Sequence, residues 1–539
     1  MNERAAFRIS SFQKWREDKG AFWFGGKLLP HKAASVHFLF AGATGSGKTI
    51  SQRMLYQTTL APTIGQNLSN RCLAFDAKGD LHRIFFGMGI PRSCVITLNP
   101  FDRRSAVWDI AADIPDQATA FELSNILLPD AQEHQPFFRQ ASRDILTGII
   151  FSHILSCAES CKRWTLSDIL YPLFQKRTTL LEATLGKHQE TEDRLHYFHN
   201  QETVVNILST LRALLRPFQT IAALWDEAER EGEEERIKLG LQANPRLVSL
   251  ESWAQDVTGK ILILGNSQKL QKSLRLINQV IFKRASQILL SMPEVPEGNS
   301  RRSWICLDEA RELERLDGLQ NLLTQGRSKE VCCVLGLQSI EGMRDPNIWG
   351  EHIANEIVGQ CRNKAFFGVA DEATAKWIVG NFGEFERIET SWTNSVTKSS
   401  RNLDIIAATK STLEGESRQL MKRSSVLDSQ LLDMPPTDAE NGLHGFYISP
   451  YFRSCGLKTA FQEIHLEPNA IFARQLCELS PQSDSFESNV RPSSAQRSRA
   501  TSNENYCAKF GIILQGLSTN KFTDDERSRI QPRRLVSED

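Results

Sequence analysis

Residues 42–49 read GATGSGKT, and the apolar run VHFLF at residues 36–40 lies just before them. The stretch fits the pattern G-x-x-x-x-G-K-[ST] at every position, with a predicted strand before it and a predicted helix after it. Glycines in such a loop let successive backbone N–H groups point at phosphate oxygens, and the following helix adds the positive end of its dipole. The sequence therefore predicts a binding loop for a nucleoside triphosphate, formed by Gly42, Ala43, Thr44, Gly45, Ser46, Gly47, Lys48 and Thr49.

A pair of acidic residues follows a second apolar run, SWICL at residues 303–307. We expect Lys48 to neutralise the β- and γ-phosphates and the Thr49 hydroxyl to bind Mg²⁺, with Asp308 holding the same ion through its water shell. Glu309 is then placed to orient and polarise the attacking water. Two acids after a strand are common, but together with the upstream loop they predict a Mg²⁺-dependent ATPase.

Two further candidate residues flank the apolar run VCCVLGL at residues 331–337. Gln338 follows the run, and at the carboxyl end of a strand its amide is placed to sense the γ-phosphate. Arg327 precedes the run and lies beyond a short helix, so it is better placed to reach a neighbouring subunit's nucleotide as an arginine finger. On spacing alone, an ordinary surface arginine is an equally good interpretation.

Strand-like runs alternate with helical patterns through much of the chain. The run at residues 71–75, which the polar motif DAKGD follows, continues a pattern that is typical of a parallel α/β sheet. Between residues 113 and 242 the apolar residues recur with helical spacing and strand-like runs disappear. We therefore expect a nucleotide-binding domain of residues 36–112 and 243–470, which an inserted all-α domain of residues 113–242 interrupts.

Three segments differ from these domains in composition. Residues 1–35 are a polar lead with an aromatic patch, FWF at residues 22–24, which we expect to pack on the nucleotide-binding domain. Residues 391–417 are rich in Ser, Thr and Asn, which predicts a mobile loop that either faces DNA or is merely solvated. Residues 471–539 cannot bury enough apolar surface to fold alone, which predicts a disordered tail. One apolar run in that tail, residues 510–514, is a candidate docking segment for a partner protein.

Composition narrows the possible classes of function. The 539 residues exceed what one hydrophobic core usually holds, which agrees with two domains. Lys+Arg and Asp+Glu both number 64, so no overall positive charge indicates a nucleic-acid partner, and any basic surface is local. The eleven cysteines are scattered, which favours reduced thiols in a cytosolic protein over a disulfide framework or a zinc site. The sequence shows no signal peptide and no apolar stretch that is long enough to span a membrane.

The motifs GATGSGKT, FDAKGD, LNPFD, WICLDEA and GRSKEVCCVLGLQS, in this order, resemble those of the coupling proteins of conjugative type IV secretion systems, the TraD/TraG type. Single motifs of this kind occur in many ATPases, but the ordered series is fairly specific. The resemblance implies a RecA-like motor related to FtsK and HerA, an all-α insertion and a ring of six subunits around a channel. It matches Arg327 to the family's trans-acting arginine and Gln338 to its strand-end glutamine. The D-x-K-G-[DE] motif falls on Asp76, Lys78, Gly79 and Asp80 without an assigned role.

The activity that this resemblance implies is ATP-driven pumping of single-stranded DNA, with its attached relaxase, towards a type IV secretion channel. Family members usually begin with transmembrane helices, whereas a polar lead of about 35 residues precedes the motor in this sequence. We therefore expect a cytoplasmic protein that either uses a separate membrane-anchored subunit or is recruited as a ring to the inner face of the cell membrane. Two other functions stay open: an assembly ATPase that moves protein substrates, and a nucleotide-dependent scaffold or regulator.

Overall fold

A computed structural model describes the chain in separate stretches. The described residues are 22–61, 70–130, 136–160, 162–230, 247–267, 269–295, 301–398, 410–453, 460–466, 489–491 and 502–514. For residue 385 and residues 387–398 and 410–423 the description covers the backbone alone.

A nine-stranded sheet lies at the centre of the described part of the chain. In spatial order its strands are β15 (Phe461–Leu466), β14 (Leu443–Ile448), β11 (Asn363–Phe366), β3 (Phe38–Ala41), β10 (Val331–Leu337), β9 (Ser303–Leu307), β4 (Arg71–Asp76), β8 (Ile261–Gly265) and β5 (Val95–Leu98). The strands from β11 to β5 pair in parallel, and β14 and β15 extend one edge in antiparallel pairing. The predicted, mostly parallel sheet is therefore confirmed.

Three smaller strand pairs complete the β structure of the described residues. They are β1 (Phe22–Phe24) with β2 (Lys27–Leu29), β6 (Val107–Trp108) with β7 (Leu247–Val248), and β12 (Glu384–Lys398) with β13 (Lys410–Ser424). The prediction of a mobile loop at residues 391–417 is wrong for the residues that the structure describes. These form the long β12–β13 hairpin, in which Ser391 pairs with Ser417 and Lys398 with Lys410. A two-stranded ladder satisfies backbone hydrogen bonds without burying side chains, so polar composition does not exclude it. Residues 399–409 lie outside the described residues.

Apolar side chains cover both faces of the sheet, as parallel strands require. On one face the aromatic residues Phe22, Trp23 and Phe24 are buried, and the ring centroids of Phe24 and Phe38 are 5.2 Å apart. The expectation that this aromatic patch packs on the nucleotide-binding region is confirmed. The cysteines among the described residues are free, which agrees with reduced thiols.

Helices connect the strands and cover both faces. In chain order they are α1 (Lys48–Thr59), α2 (Leu81–Gly87), α3 (Ile110–Asp113), α4 (Gln117–Leu127), α5 (Pro136–Ser160), α6 (Leu166–Leu173), α7 (Thr179–Leu185), α8 (Gln189–Glu192), α9 (Gln201–Arg230), α10 (Leu250–Gln255), α11 (Gln271–Ser291), α12 (Leu319–Gln325), α13 (Ile340–Arg344), α14 (Gly350–Gln360), α15 (Glu372–Val379), α16 (Asp428–Leu432) and α17 (Asn503–Phe510). Helices α1 and α2 pack on the same face as the aromatic patch. Short 3₁₀ turns occur at His31–Val36, Arg92–Cys94, Asp193–His199, Ala310–Leu313 and Gly326–Lys329. Within the described ranges, none of the helices combines the length and the apolar character that crossing a bilayer requires.

Helices α3 to α9 lie between β6 and β7 in the chain, and a polar junction fastens the entry of this helical region to its exit. The Asp113 carboxylate accepts hydrogen bonds from Trp108 Nε1 at 2.6 Å, Ser249 Oγ at 2.7 Å and the Leu250 backbone N–H at 2.8 Å. The apolar side chains of the helical region also join one face of the sheet in a single hydrophobic core. Because the core is shared, the division into separate domains at residues 113–242 stays a prediction.

The end of the chain contains a helix that its composition did not indicate. Most of the predicted tail, residues 471–539, lies outside the described residues, but α17 packs on α5 with Tyr506 and Phe510 buried. Residues four apart share one face of a helix, so this aromatic pair gives α17 an apolar side. Phe510 opens the run that was predicted to dock a partner. That prediction is wrong at Phe510, because the side chain is already buried within this chain.

His37 precedes β3 and joins it to two neighbouring elements. Its Nδ1 atom accepts a hydrogen bond from the Cys333 backbone N–H at 3.1 Å, so Nε2, 2.9 Å from the Leu323 carbonyl oxygen, carries the proton of the neutral ring. Burial lowers the pKa of His37 from 6.5 to about 4. The fold therefore depends on an uncharged His37.

A pH-dependent loss of stability follows from this lowered pKa. As the pH falls below 6.5, the unfolded chain takes up a proton at His37 while the folded chain does not until about pH 4, so the free energy of unfolding decreases over that window. The slope from this residue is up to about 1.4 kcal/mol per pH unit. In urea unfolding, the wild type should have a larger free energy of unfolding than His37→Gln near neutral pH. This difference should become smaller as the pH falls. A difference in free energy of unfolding that does not change with pH would contradict the lowered pKa of His37.

Candidate active site

The loop of residues 42–49 leaves the carboxyl end of β3 and leads into α1. Gly45 and Gly47 have φ angles of 80° and 99°, which residues with a side chain rarely adopt. A Cβ atom on Gly47 would lie 2.1 Å from Leu443 Cδ1 and 2.5 Å from Thr437 Oγ1. Both the backbone curl and this close approach therefore require glycine at position 47.

Three predicted site residues meet at the carboxyl edge of the sheet. Lys48 is buried, and its Nζ atom donates to Glu309 Oε1 and to the Leu337 carbonyl oxygen, both at 3.2 Å. The Gln338 Nε2 atom donates to the same Glu309 oxygen at 2.7 Å. Since β3, β10 and β9 are parallel neighbours, their carboxyl ends bring together residues as much as 290 positions apart. The Glu309 carboxylate is thus held between a cation and an amide.

Glu309 also has an unusual backbone. Its φ of 59° and ψ of 54° lie in the left-handed region, which costs a residue with a side chain of order 1 kcal/mol. The chain turns at this point from β9 into the 3₁₀ turn Ala310–Leu313. The turn carries the Glu309 side chain back towards Lys48, and backbone strain of this kind clusters at functional sites.

Asp308, the other acid of the predicted pair, faces a separate small cavity. The cavity has a volume of about 20 Å³ and is lined by Thr49, Gln52, Asp76 and Lys78 as well as Asp308. Such a volume holds about one water-sized ligand. The Asp308 Oδ1 atom is enclosed, and among the described residues no donor meets it in full hydrogen-bonding geometry, although the Gln52 amide is close enough to favour the charged form of the carboxyl.

These features fit a divalent cation. Burial raises the pKa of Asp308, and the charges of Lys48 and Lys78 oppose that shift. An enclosed carboxylate oxygen without a well-aligned donor gains most from a ligand that brings positive charge, and Mg²⁺ prefers oxygen ligands of this kind. The Thr49 hydroxyl on the same cavity would supply a second oxygen. The assignment of Asp308 and Thr49 to Mg²⁺ stays a prediction with which the cavity agrees.

Arg327 lies apart from this cluster. It is exposed in the 3₁₀ turn Gly326–Lys329, which precedes β10. Because β10 is seven residues long, it separates the turn from Gln338 by roughly 20 Å. Arg327 therefore lies at the opposite edge of the sheet from Lys48 of its own chain, beyond the reach of one side chain.

Sequence analysis missed the residues that hold the loop from outside. The Thr437 backbone N–H donates to the Gly45 carbonyl oxygen at 3.0 Å, and its Oγ1 donates to that of Ser46 at 2.9 Å. The Ala43 N–H donates to the Gly368 carbonyl oxygen at 2.7 Å. No motif marks Thr437 in the sequence, and the two prolines before it indicate only a stiff turn.

Residues 22–446 match the family model described as the type IV secretion-system coupling protein DNA-binding domain. The chain belongs to this family. Among curated proteins it is similar to the coupling protein TraD of Escherichia coli (strain K12), with 22% identity over 360 residues. That match covers 66% of this chain and 45% of TraD, so the chain spans less than half the length of this relative.

Solved structures give the same fold. The bacterial conjugative coupling protein TrwBdeltaN70 in its unbound monoclinic form has a TM-score of 0.61 and 19% identity, with 89% of this chain and 94% of that chain covered. The plasmid coupling protein TrwB in complex with ADP and Mg²⁺ has a TM-score of 0.59 and 19% identity, with 88% and 94% covered. These likenesses confirm the predicted RecA-like P-loop fold, and the family match confirms the resemblance to coupling proteins.

The substitution Asp308→Asn tests the cation site. With ADP present, we expect Mg²⁺ to raise the thermal midpoint of the wild type and to bind the variant at least about tenfold more weakly, because an amide oxygen is a poorer ligand than a carboxylate. Without nucleotide the midpoint of the variant should not fall, since burial disfavours the charged carboxylate that the substitution removes. The exposed Asp317→Asn variant is a matched control. A Mg²⁺ effect in Asp308→Asn equal to that of the wild type would contradict the assignment.

Proposed function

We propose that this protein is an ATP-hydrolysing coupling protein that binds single-stranded DNA and pumps it, with its relaxase, to a type IV secretion channel. The observation that carries the proposal is the meeting of Lys48, Glu309 and Gln338 at one edge of the sheet in a chain of the coupling-protein family. The proposed reaction is hydrolysis of Mg²⁺-ATP on the loop of residues 42–49.

The contacts of Lys48 support a cycle in which nucleotide releases the base. Lys48 pairs with Glu309 at 3.2 Å in this structure, and both side chains are largely shielded from water. Incoming phosphates compete for the same ammonium, because Lys binds phosphate as a point charge. Once Lys48 pairs with phosphate, the Glu309 carboxylate still accepts the hydrogen bond from the Gln338 amide. It no longer pairs with Lys48 and can polarise water. The pairing would thus keep the general base occupied until substrate is bound.

The position of Arg327 supports hydrolysis between subunits. A cleft of about 530 Å³ opens beside Gln338, and its lining has more carboxylates (Glu309, Glu312, Glu314 and Asp345) than guanidinium groups (Arg275 and Arg311). An exposed arginine from a second copy has both the charge and the freedom to enter such a cleft. We propose a ring, in the predicted form a homo-hexamer, in which each Arg327 reaches the nucleotide of the neighbouring subunit. Within this proposal the ring acts at the cytoplasmic face of the secretion machinery.

Stimulation by DNA distinguishes a DNA pump from a protein-moving ATPase or a scaffold. ATP turnover should rise several-fold when single-stranded DNA is added at low salt, and the stimulation should fade as salt increases, since phosphate contacts release counterions. The Glu309→Gln variant should bind nucleotide, because phosphate takes the place of the carboxylate beside Lys48, but it should show no turnover with or without DNA, because the group that polarises water is lost. Steady-state ATPase rates at several salt concentrations provide the measurement. Turnover that ignores DNA would reject the pumping function.

Mixing two inactive variants tests the role of Arg327. In rings of Arg327→Ala and Lys48→Ala subunits, an intact pocket meets an intact arginine at about one interface in four, so up to about a quarter of wild-type turnover should return. Each variant alone should be inactive. A mixture of Glu309→Gln and Lys48→Ala is the matched control, since neither subunit has a complete pocket. If both mixtures stay inactive, Arg327 does not act between subunits.

A further inference from the structure

The DAKGD turn, residues 76–80, lies beside the candidate active site. It follows β4, and β4 pairs with β9 so that Phe75 lies opposite Leu307. The turn therefore leaves the sheet directly beside Asp308. Lys78 lines the same cavity as Thr49 and Asp308, which belong to the predicted nucleotide and Mg²⁺ site.

Backbone hydrogen bonds make this turn rigid. One oxygen of the Asp76 carboxylate accepts from the N–H groups of Gly79 at 2.8 Å and Asp80 at 3.1 Å, and the other accepts from Leu81 at 3.2 Å. Gly79 has a φ of 75°, which allows the chain to fold back over that carboxylate. Both oxygens of the Asp76 carboxylate accept hydrogen bonds from the turn. Asp76 therefore stabilises the conformation of the turn.

An ion pair ties the turn to the helix of the phosphate-binding loop. Asp80 Oδ2 lies 3.3 Å from Arg53 Nη2. Arg53 lies about one helical turn after Thr49 on α1. The two loops that flank the cavity are therefore held at a fixed separation, and any side chain between them is presented in a defined place.

Lys78 is the side chain presented there. It is exposed, and among the described residues its ammonium group has no hydrogen bond or ion pair. Lys78 and Asp308 line the same small cavity, so the ammonium group lies close to the carboxylate and to Thr49 of the phosphate-binding loop. A rigid turn that carries an uncommitted lysine beside a nucleotide site has the chemistry to bind a phosphate that arrives with the ligand.

We propose that Lys78 binds the terminal phosphate of the nucleoside triphosphate, opposite Lys48, and that Asp76 and Asp80 are positioning residues that hold it there. The inference rests on the proposed ATP-binding function and deepens it by naming a second lysine. ADP lacks this γ-phosphate. Lys78 therefore distinguishes the triphosphate from the diphosphate, whereas Lys48 at the head of α1 serves both.

Affinities for two nucleotides test this assignment in the full-length chain. Lys78→Met should bind Mg²⁺ and a non-hydrolysable ATP analogue, AMP-PNP, about tenfold or more weakly than the wild type, because one charge-assisted phosphate contact is lost. Its affinity for Mg²⁺-ADP should change less than about twofold. Lys78→Arg should restore most of the AMP-PNP affinity. Lys376→Met, which removes an exposed lysine on α15, should change neither affinity.

Each other outcome overturns the proposal. Equal losses for ADP and AMP-PNP would indicate a general disturbance of the site, and unchanged affinities for both would remove Lys78 from it. Unchanged nucleotide affinities with weaker binding of single-stranded DNA would assign Lys78 to DNA phosphates instead. The nucleotide affinities are measured without DNA. If DNA failed to stimulate turnover, the pumping function would be rejected, but the affinities would still test the role of Lys78.

Discussion

The buried ammonium group of Lys48 constrains the whole candidate site. A lysine that is shielded from water needs an anion or several acceptors, and in this structure it has the Glu309 carboxylate and the Leu337 carbonyl oxygen, each at 3.2 Å. That requirement fixes the relative positions of three strand ends, because the loop follows β3, Glu309 follows β9 and Leu337 ends β10. The strained backbone of Glu309 is tolerated because its carboxylate satisfies this charge. In the proposed cycle, phosphate replaces the carboxylate and satisfies the same buried charge.

The parallel sheet explains why distant motifs converge. All strands of one parallel set end at the same edge, so polar residues that follow β3, β10, β9 and β4 must lie side by side in that order. The phosphate-binding loop, Gln338, the Asp308–Glu309 pair and the DAKGD turn occupy these four positions. This edge of the sheet has two parts: Lys48, Gln338 and Glu309 form a hydrogen-bonded cluster, and Thr49, Asp308 and Lys78 line the small cavity.

Short sequence patterns were enough to predict many strands of the sheet and several residues of the candidate site. Apolar runs such as VCCVLGL predicted buried strands, and the residues just after them predicted the site, because a strand end needs no knowledge of long-range packing. The contacts of Thr437 with Gly45 and Ser46 were not predictable, since they join segments that are far apart and carry no motif. The β12–β13 hairpin and α17 were missed for another reason. Their polar composition resembles that of loops, while backbone pairing and one aromatic pair decide their structure.

In the proposed mechanism a single chain holds an incomplete site, and the reason is geometric. The sheet that gathers the phosphate-binding groups at its carboxyl edge places Arg327 at its amino edge, roughly 20 Å away, because β10 lies between them. No side-chain rotation can close that distance. The proposal therefore assigns Arg327 of a second copy to the open cleft beside Glu309, where carboxylates outnumber the guanidinium groups of Arg275 and Arg311. Hydrolysis in such an arrangement depends on how neighbouring copies are placed, so any motion that changes their contact also changes the rate. The helical region shares its core with the sheet, so a force applied to those helices would be transmitted to the sheet and from there to the contact between copies.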